Sequence, residues 1–181
     1  NVDDPLGDQS PRHTTWLDET RAQKMDRLAD KLRQRGNQGL FITFEGGDGC
    51  GKTTQVALLQ KELLDRGIDV LATREPGGTP LGQQLREHIQ HGPEDVDPRT
   101  EALLYAADRA YHVATMLHPA LERGMVVLED RYTDSSVAYQ GAARELGTAE
   151  IRGLSDWATN GLQPDLTLLF DVDPDVGLGR V

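Results

Sequence analysis

The stretch FEGGDGCGKTTQ at residues 44–55 restricts the possible folds of this chain more than any other feature. Its four glycines are unfavourable inside a helix or a strand, because glycine loses more backbone entropy than other residues and offers no side chain for packing. Glycine is useful where a ligand must approach the backbone closely. We therefore expect this stretch to be a ligand-binding loop.

The loop matches the phosphate-binding pattern G-x-x-x-x-G-K-[ST] and lies between a predicted strand and a predicted helix. In such a loop, backbone N–H groups and a helix N-terminus surround an anion, while the lysine reaches the terminal phosphates and the hydroxyl binds Mg²⁺. The sequence predicts an ATP site that consists of Gly46, Gly47, Asp48, Gly49, Cys50, Gly51, Lys52, Thr53 and Thr54.

Apolar runs of strand length alternate with helical patterns along the rest of the chain. The runs have no polar alternation, which is typical of strands covered on both faces. Predicted strands lie at 40–45, 69–73, 125–129 and 166–170, and predicted helices at 52–66, 81–89 and 98–123. This order predicts an α/β protein with a parallel sheet flanked by helices, the P-loop NTPase fold.

The first 39 residues differ from the remainder in composition. They carry 7 acidic and 7 basic residues and few large apolar ones. Met25, Leu28 and Leu32 could form one apolar face of a short helix, although this face is narrow. We interpret 1–39 as a polar linker or tail that is partly helical, and 40–181 as the P-loop domain.

The net charge of −11 argues against a nucleic-acid partner, because nucleic acids are bound mainly through clusters of Lys and Arg. A small anionic ligand is compatible with this charge if individual cations are placed beside it. No apolar run approaches the roughly 20 residues of a membrane span, so we expect no membrane contact by this segment. The single cysteine, Cys50, cannot form an intrachain disulfide, and we expect a cytoplasmic protein.

Three further motifs place arginine beside carboxylate or aromatic side chains: TREPGGT at 73–79, LLYAADRAYH at 103–112 and EDRYTDSSVAYQG at 129–141. The first and third follow predicted strands and therefore lie at the carboxyl edge of the sheet, where ligands bind in α/β folds. The N-K-x-D motif of switch GTPases and the L-S-G-G-Q motif of transporter ATPases do not occur.

Together with PDLTLLFDVDP at 164–174, these motifs resemble the thymidylate kinase family in order and spacing, over residues 40–180. The resemblance implies transfer of the γ-phosphoryl group of ATP to dTMP. The attacking phosphate oxygen is already anionic, so no general base is required. Another P-loop nucleotide kinase and a non-catalytic nucleotide-binding module remain alternatives.

The resemblance also implies a role for individual side chains in binding dTMP. Arg74 would hold the dTMP phosphate, Asp48 would accept from the 3′-hydroxyl, and Tyr139 would occupy the space of a 2′-hydroxyl. Thymine would be bound by a stacking ring and two polar side chains: Tyr105, Arg109 and Ser136.

Catalysis would depend on Lys52, Asp130 and Arg131, with Thr53 and Asp130 as the magnesium ligands. Some relatives carry a catalytic arginine at the position of Gly49, so the resemblance implies that the corresponding arginine lies beyond residue 181. A lid, a fifth strand and a closing helix would also lie there. We expect this chain to bind nucleotide and to be weakly active or inactive as a kinase.

Less specific interpretations of the same residues remain open. Tyr105 and Tyr139 could be core aromatics, and Arg109 could pair with Asp108 or Glu101 on a helix surface. Asp108 itself is expected on a solvated face. The resemblance further implies a cis Glu75–Pro76 bond, and a homodimer formed by the helices within 98–123 and 134–146.

Overall fold

The computed structural model describes residues 20–143 and 146–171, and predictions about other residues, including those beyond 171, lie outside this part. Its strands are β1 (Leu40–Gly46), β2 (Val70–Arg74), β3 (Val126–Asp130) and β4 (Leu166–Phe170). They form one parallel sheet in the order β2-β3-β1-β4. All four strands and the α/β class that the sequence predicts are confirmed.

One helix precedes the first strand, and the other helices lie between strands. They are α1 (Arg21–Gln34), α2 (Lys52–Leu64), α3 (Pro80–His91), α4 (Pro98–His112), α5 (His118–Glu122), α6 (Thr133–Ser136) and α7 (Thr148–Thr159). A π-helical turn at Val113–Leu117 joins α4 to α5, and a second at Val137–Ala143 continues α6. The segment 98–123, which is long enough for one or two helices, therefore forms two helices with one irregular turn between them.

Sequence signals at the helix starts explain where α3 and α4 begin. The Thr79 hydroxyl accepts a hydrogen bond from the Gly82 N–H at 2.8 Å, and Asp97 accepts from the Thr100 N–H at 3.1 Å. Each cap is followed by a proline at the first helical position, where no N–H is needed.

Each face of the sheet packs against a different set of helices, because successive strand residues point to opposite faces. Phe44 and Leu128 belong to a buried cluster that includes residues of α1 and α2. Phe41 and Val127 belong to a second cluster, with the π-helical turn after α4 and with α5. The central strands β1 and β3 are thus covered on both faces, as their composition predicts. That prediction is wrong for β4, which lies at the edge of the sheet and leaves Leu169 74% exposed.

Helix α1 confirms the predicted helical segment but is not a free tail. Ala29 is fully buried in the first cluster, and Met25, Leu28 and Leu32 pack against that cluster. Arg66 at the end of α2 donates to Asp26 at 2.8 Å. The narrow apolar face of this helix, which includes the small side chain of Ala29, thus packs on the core of the sheet although it lies within 1–39.

Across the described parts of the chain, we found no helix whose length and hydropathy would suit a membrane span.

Candidate active site

A cleft of about 1110 Å³ opens at the carboxyl ends of β1, β2 and β3. The strand register aligns Phe44, Arg74 and Asp130 side by side, so the loops that follow these strands start level with one another. The cleft is lined by the glycine-rich loop, the turn after β2, one side of α4 and the turn after β3. This is the edge at which the sequence motifs predict a ligand site.

The glycine-rich loop holds Lys52 in a fixed position at the start of α2. Lys52 is 6% exposed, and its ammonium donates to the carbonyls of Gly46 and Gly47, each at 2.8 Å. Gly51 has a left-handed φ of 91°, and a Cβ atom on Gly46 would lie 2.6 Å from the Phe170 carbonyl. These two positions therefore require glycine.

Cys50 lies behind the loop rather than in the cleft. Its side chain is buried, with Sγ 3.5 Å from the Lys52 ammonium. Gly46 and Gly47 also stay out of the cleft lining and instead contribute the carbonyls that hold Lys52. The other predicted ATP-site residues line the cleft: Asp48, Gly49, Gly51, Lys52, Thr53 and Thr54.

The predicted magnesium ligands lie together at the base of the cleft. The Thr53 hydroxyl donates to Asp130 Oδ2 at 2.9 Å, and Oδ1 of the same carboxylate is buried without a hydrogen-bond partner among the described residues. A hydroxyl and an underused carboxylate provide the oxygen ligands that Mg²⁺ prefers. These two residues therefore fit a magnesium ion.

Arg131 connects the turn after β3 to the glycine-rich loop. Its guanidinium donates to Asp48 Oδ1 at 2.5 Å and lies 5.6 Å from the centre of the Tyr139 ring. Arg131 has a φ of 69°, which is uncommon for a residue other than glycine and is often found at functional sites. Its backbone N–H donates to the Phe44 carbonyl at 3.0 Å, which anchors this conformation.

Glu45, which the sequence analysis missed, holds the same turn from the opposite side. Its buried carboxylate accepts from the Tyr132 N–H at 2.8 Å and from the Ser135 hydroxyl. Burial raises the pKa of Glu45, although these hydrogen bonds oppose the shift. An acidic residue at the end of an otherwise apolar strand was the available sequence signal.

Arg109 is buried rather than paired on a helix surface. It is 3% exposed, and Nε donates to Glu75 Oε2 at 2.6 Å. Further N–H groups donate to the Ser155 hydroxyl and the Tyr132 carbonyl at 3.3 and 3.1 Å. The alternative of a surface ion pair is therefore wrong, and Arg109 lines the cleft from within a polar network.

Asp108 is also buried, which corrects its expected position on a solvated face. It is 1% exposed, and its Oδ1 accepts from the Gly77 N–H at 3.1 Å. Burial, with the nearby Glu75 carboxylate, raises the pKa of Asp108. The pattern of α4 could not reveal this burial, since the partner is a backbone group of the distant turn after β2.

That turn, TREPGGT, fits closely over α4. The Glu75–Pro76 bond is cis, as the resemblance implies. A Cβ atom on Gly78 would lie 2.6 Å from His112 Nε2, and one on Gly82 would collide with the Asp108 carboxylate. Small residues are therefore required where this turn and the start of α3 cross α4.

The predicted dTMP residues are brought together in the same cleft. Arg74 is exposed at the end of β2, Tyr105 is half-buried, and Ser136 is buried at its wall. Tyr139 is 46% exposed, so it is not a core aromatic. Asp48 and Arg109, which also line the cleft, complete this set.

Comparison with known proteins agrees with this arrangement. The family model described as thymidylate kinase matches residues 44–181. The thymidylate kinase of Leifsonia xyli subsp. xyli is 62% identical over 143 residues, which cover 79% of this chain and 68% of the relative. That of Clavibacter sepedonicus is 64% identical over 135 residues, covering 75% of this chain and 64% of the relative.

A solved structure gives the same result. The crystal structure of thymidylate kinase from Ehrlichia chaffeensis matches with a TM-score of 0.70 and 36% identity, covering 79% of this chain and 82% of that one. The chain spans about two thirds of the length of the curated relatives it matches. With a family model that matches most of its length, the chain belongs to the thymidylate kinase family.

Proposed function

We propose that the protein transfers the γ-phosphoryl group of ATP to dTMP, forming ADP and dTDP in deoxynucleotide synthesis. The observation that carries this proposal is that the phosphate-binding loop and the predicted dTMP residues line one continuous cleft. A phosphate oxygen of dTMP attacks the γ-phosphorus, and the bond to the β,γ-bridging oxygen breaks. Since both substrates are polyanions, catalysis depends on positioning and charge.

ATP would occupy the end of the cleft formed by the glycine-rich loop. The Lys52 ammonium, which now donates to two loop carbonyls, would instead donate to phosphate oxygens. Thr53 and Asp130 would hold Mg²⁺, which neutralises charge on the phosphates when it is bound. Arg131 lines the cleft beside the phosphate-binding loop, where it pairs with Asp48, and would contact the transferring group, where donors to developing charge contribute most.

dTMP would occupy the end between β2 and α4. Arg74 is exposed to the cleft and suits a phosphate, because a guanidinium can donate two parallel hydrogen bonds. Tyr105 would stack on thymine. The bonds to Glu75, Ser155 and Tyr132 occupy three of the five N–H groups of Arg109, so that others could donate to a thymine carbonyl.

The sugar would lie near the turn after β3. Asp48 would accept from the 3′-hydroxyl and thereby exchange part of its contact with Arg131 for a substrate contact. Tyr139 would fill the space beside C2′, while Ser136 would bond the edge of the pyrimidine. This arrangement favours a deoxynucleotide that carries thymine.

Assembly and location are a further part of the proposal. We propose a homodimer in the cytoplasm, without nucleic-acid or membrane contacts. Leu103 and Tyr111 on α4 are 57% and 43% exposed, and both lie within the predicted interface at 98–123. Light scattering at micromolar protein concentration should give a dimeric mass, and a monomeric mass would contradict this assembly.

Calorimetric titration tests the proposed acceptor site directly. Arg74→Ala should weaken dTMP binding about ten- to hundredfold, since a hydrogen bond to a charged group contributes about 1.5–3 kcal/mol, while ATP binding should persist. Arg152→Ala on α7 removes an exposed arginine that does not line the cleft and is the matched control. Equal dTMP affinities for the two variants would contradict the assignment.

A further inference from the structure

Three ionisable side chains converge at the inner wall of the cleft, and none of them contacts a substrate in the proposed reaction. Glu75 follows β2, His112 lies near the end of α4, and Glu129 lies in β3. Their exposed fractions are 4%, 0% and 0%, respectively. One potential ligand atom from each lies within 4.8 Å of the other two. The three side chains are thus close enough to share one metal ion.

The distances among these atoms resemble those around a four-coordinate metal. His112 Nδ1 lies 3.3 Å from Glu75 Oε1 and 3.6 Å from Glu129 Oε1. Nitrogen and oxygen ligands bound about 2.0–2.1 Å from tetrahedral zinc are separated by about 3.3 Å. An ion could therefore bind all three with only small side-chain movements.

Neighbouring groups orient the ligands as the outer shell of a metal site does. His112 Nε2 is 2.8 Å from the Thr73 hydroxyl, and a proton on Nε2 leaves the Nδ1 lone pair facing the two glutamates. Arg109 binds Glu75 through Oε2, which leaves Oε1 for the cluster. Thr73 and Arg109 thus hold His112 and Glu75 so that His112 Nδ1 and Glu75 Oε1 face Glu129.

Glu129 gives an independent indication that a ligand belongs here. It is completely buried, and neither carboxylate oxygen has a hydrogen-bond partner in the described part of the protein. Together with Glu75 and Asp108 it forms a group of three buried carboxylates around one buried cation, Arg109. With all three carboxylates ionised, two negative charges remain beside Arg109, and a buried charge usually requires a partner or a metal. One divalent cation would balance them.

We propose that Glu75, His112 and Glu129 supply three of the four ligands of a zinc ion that ties β2, β3 and α4 together at the inner wall of the substrate cleft, with one water molecule as the fourth ligand. A nitrogen ligand and a largely buried site favour Zn²⁺ over Mg²⁺, which dehydrates reluctantly and usually keeps several waters. The site is separate from the Thr53–Asp130 pair, because Glu129 and Asp130 point to opposite faces of β3. It does not depend on the proposed kinase activity.

Metal analysis of the purified protein tests this site. The chain is expressed in zinc-supplemented medium, purified without chelator, desalted and analysed by mass spectrometry of its metals. We expect about one zinc per chain and a loss of at least tenfold in Glu129→Gln, which has nearly the same shape as the native side chain. Glu87→Gln is the control, because it removes the carboxylate of an exposed Glu87–His91 pair 3.0 Å apart and should retain the zinc.

Two further measurements keep the test decisive if Glu129→Gln folds poorly. After removal of zinc from the native chain by a chelator, added Zn²⁺ should raise its melting temperature, and Co²⁺ should give the visible absorption of a tetrahedral site. Absence of both effects would overturn the proposal. Equal zinc contents in the native protein and Glu129→Gln would also overturn it. If the native protein contained no zinc and Glu129→Gln were more stable than it, protons rather than a metal would balance the buried charge. That result would also overturn the proposal.

Discussion

Arg131 donates a hydrogen bond to Asp48 at 2.5 Å, which joins the turn after β3 to the phosphate-binding loop after β1. The side chain of Asp48 is 75% exposed and that of Arg131 is 20% exposed. An ion pair with so exposed a partner contributes little to stability, typically about 0–1 kcal/mol. Substrates can therefore replace this ion pair at a small cost in free energy. The side chains of Arg131 and Asp48 can thus rearrange when nucleotides bind.

The first prediction concerns Arg131→Lys, which keeps the positive charge and removes the planar guanidinium fork. We expect kcat to fall about 10²- to 10³-fold, the usual effect of losing a donor to the transferring group. The measurement is ADP release with saturating ATP and dTMP.

The control for this prediction is Asp48→Asn, which should mainly raise the KM for dTMP. If both single variants and the double variant lowered kcat equally, Arg131 would act only through Asp48. That result would contradict a direct role of Arg131 in catalysis.

The second prediction concerns sugar selectivity. Tyr139→Ala should narrow the preference for dTMP over its ribose counterpart by about tenfold or more, because it opens the space proposed to exclude a 2′-hydroxyl. The ring is 46% exposed, so its removal should cost little stability. Steady-state kinetics with the two acceptors measure the ratio, and an unchanged ratio would assign the discrimination to other residues.

The third prediction concerns the close contact between the start of α3 and α4. Gly82→Ala should destabilise the protein by about 1–3 kcal/mol, since the new methyl group would collide with the buried Asp108 carboxylate. Gly153→Ala in α7 should instead stabilise it by about 0.5–1 kcal/mol, because a Cβ atom there meets nothing within 4 Å. Urea unfolding measures both changes in stability. Equal changes in the two variants would contradict the close contact between Gly82 and Asp108.

The fourth prediction concerns the pH dependence of stability. Burial raises the pKa of Glu45 from 4.5, so the folded protein binds this proton more tightly than the unfolded chain does. Stability from this group is therefore fully present below pH 4.5 and is lost as pH rises through the folded pKa.

Glu45→Gln removes this titration and keeps an acceptor for the Tyr132 N–H. The unfolding free energy of Glu45→Gln minus that of the native protein should increase between pH 5 and pH 7.5. Urea titration at each pH measures this difference. A difference that is independent of pH, or that shifts towards the native protein, would show that the Glu45 pKa is not raised.

Local sequence patterns predicted the strands and the phosphate-binding loop well. The apolar runs at 40–45 and 125–129 contain no polar alternation, and they form the two central strands. The loop motif depends on consecutive residues whose backbone geometry is set locally, with Gly51 at a φ of 91°. Such features require no knowledge of distant contacts.

Features that depend on distant partners were not predicted. Helix α7 buries Ile151, Ser155 and Thr159, and two of these three are polar, so its buried face lacks an apolar pattern. Asp108 and Glu129 are buried beside groups from other elements, which the charge pattern of one segment cannot reveal. These buried charges are also the basis of the proposed zinc site.

The most direct test of the proposed function is the rate of ADP release by the protein expressed from its complete reading frame, with ATP and Mg²⁺. ADP release should require dTMP, and kcat/KM for dTMP should exceed that for UMP by at least about a hundredfold, since both the base pocket and Tyr139 select against UMP. Comparable turnover of UMP and dTMP, or ADP release that does not depend on dTMP, would contradict the assignment of this cleft to thymidylate phosphorylation.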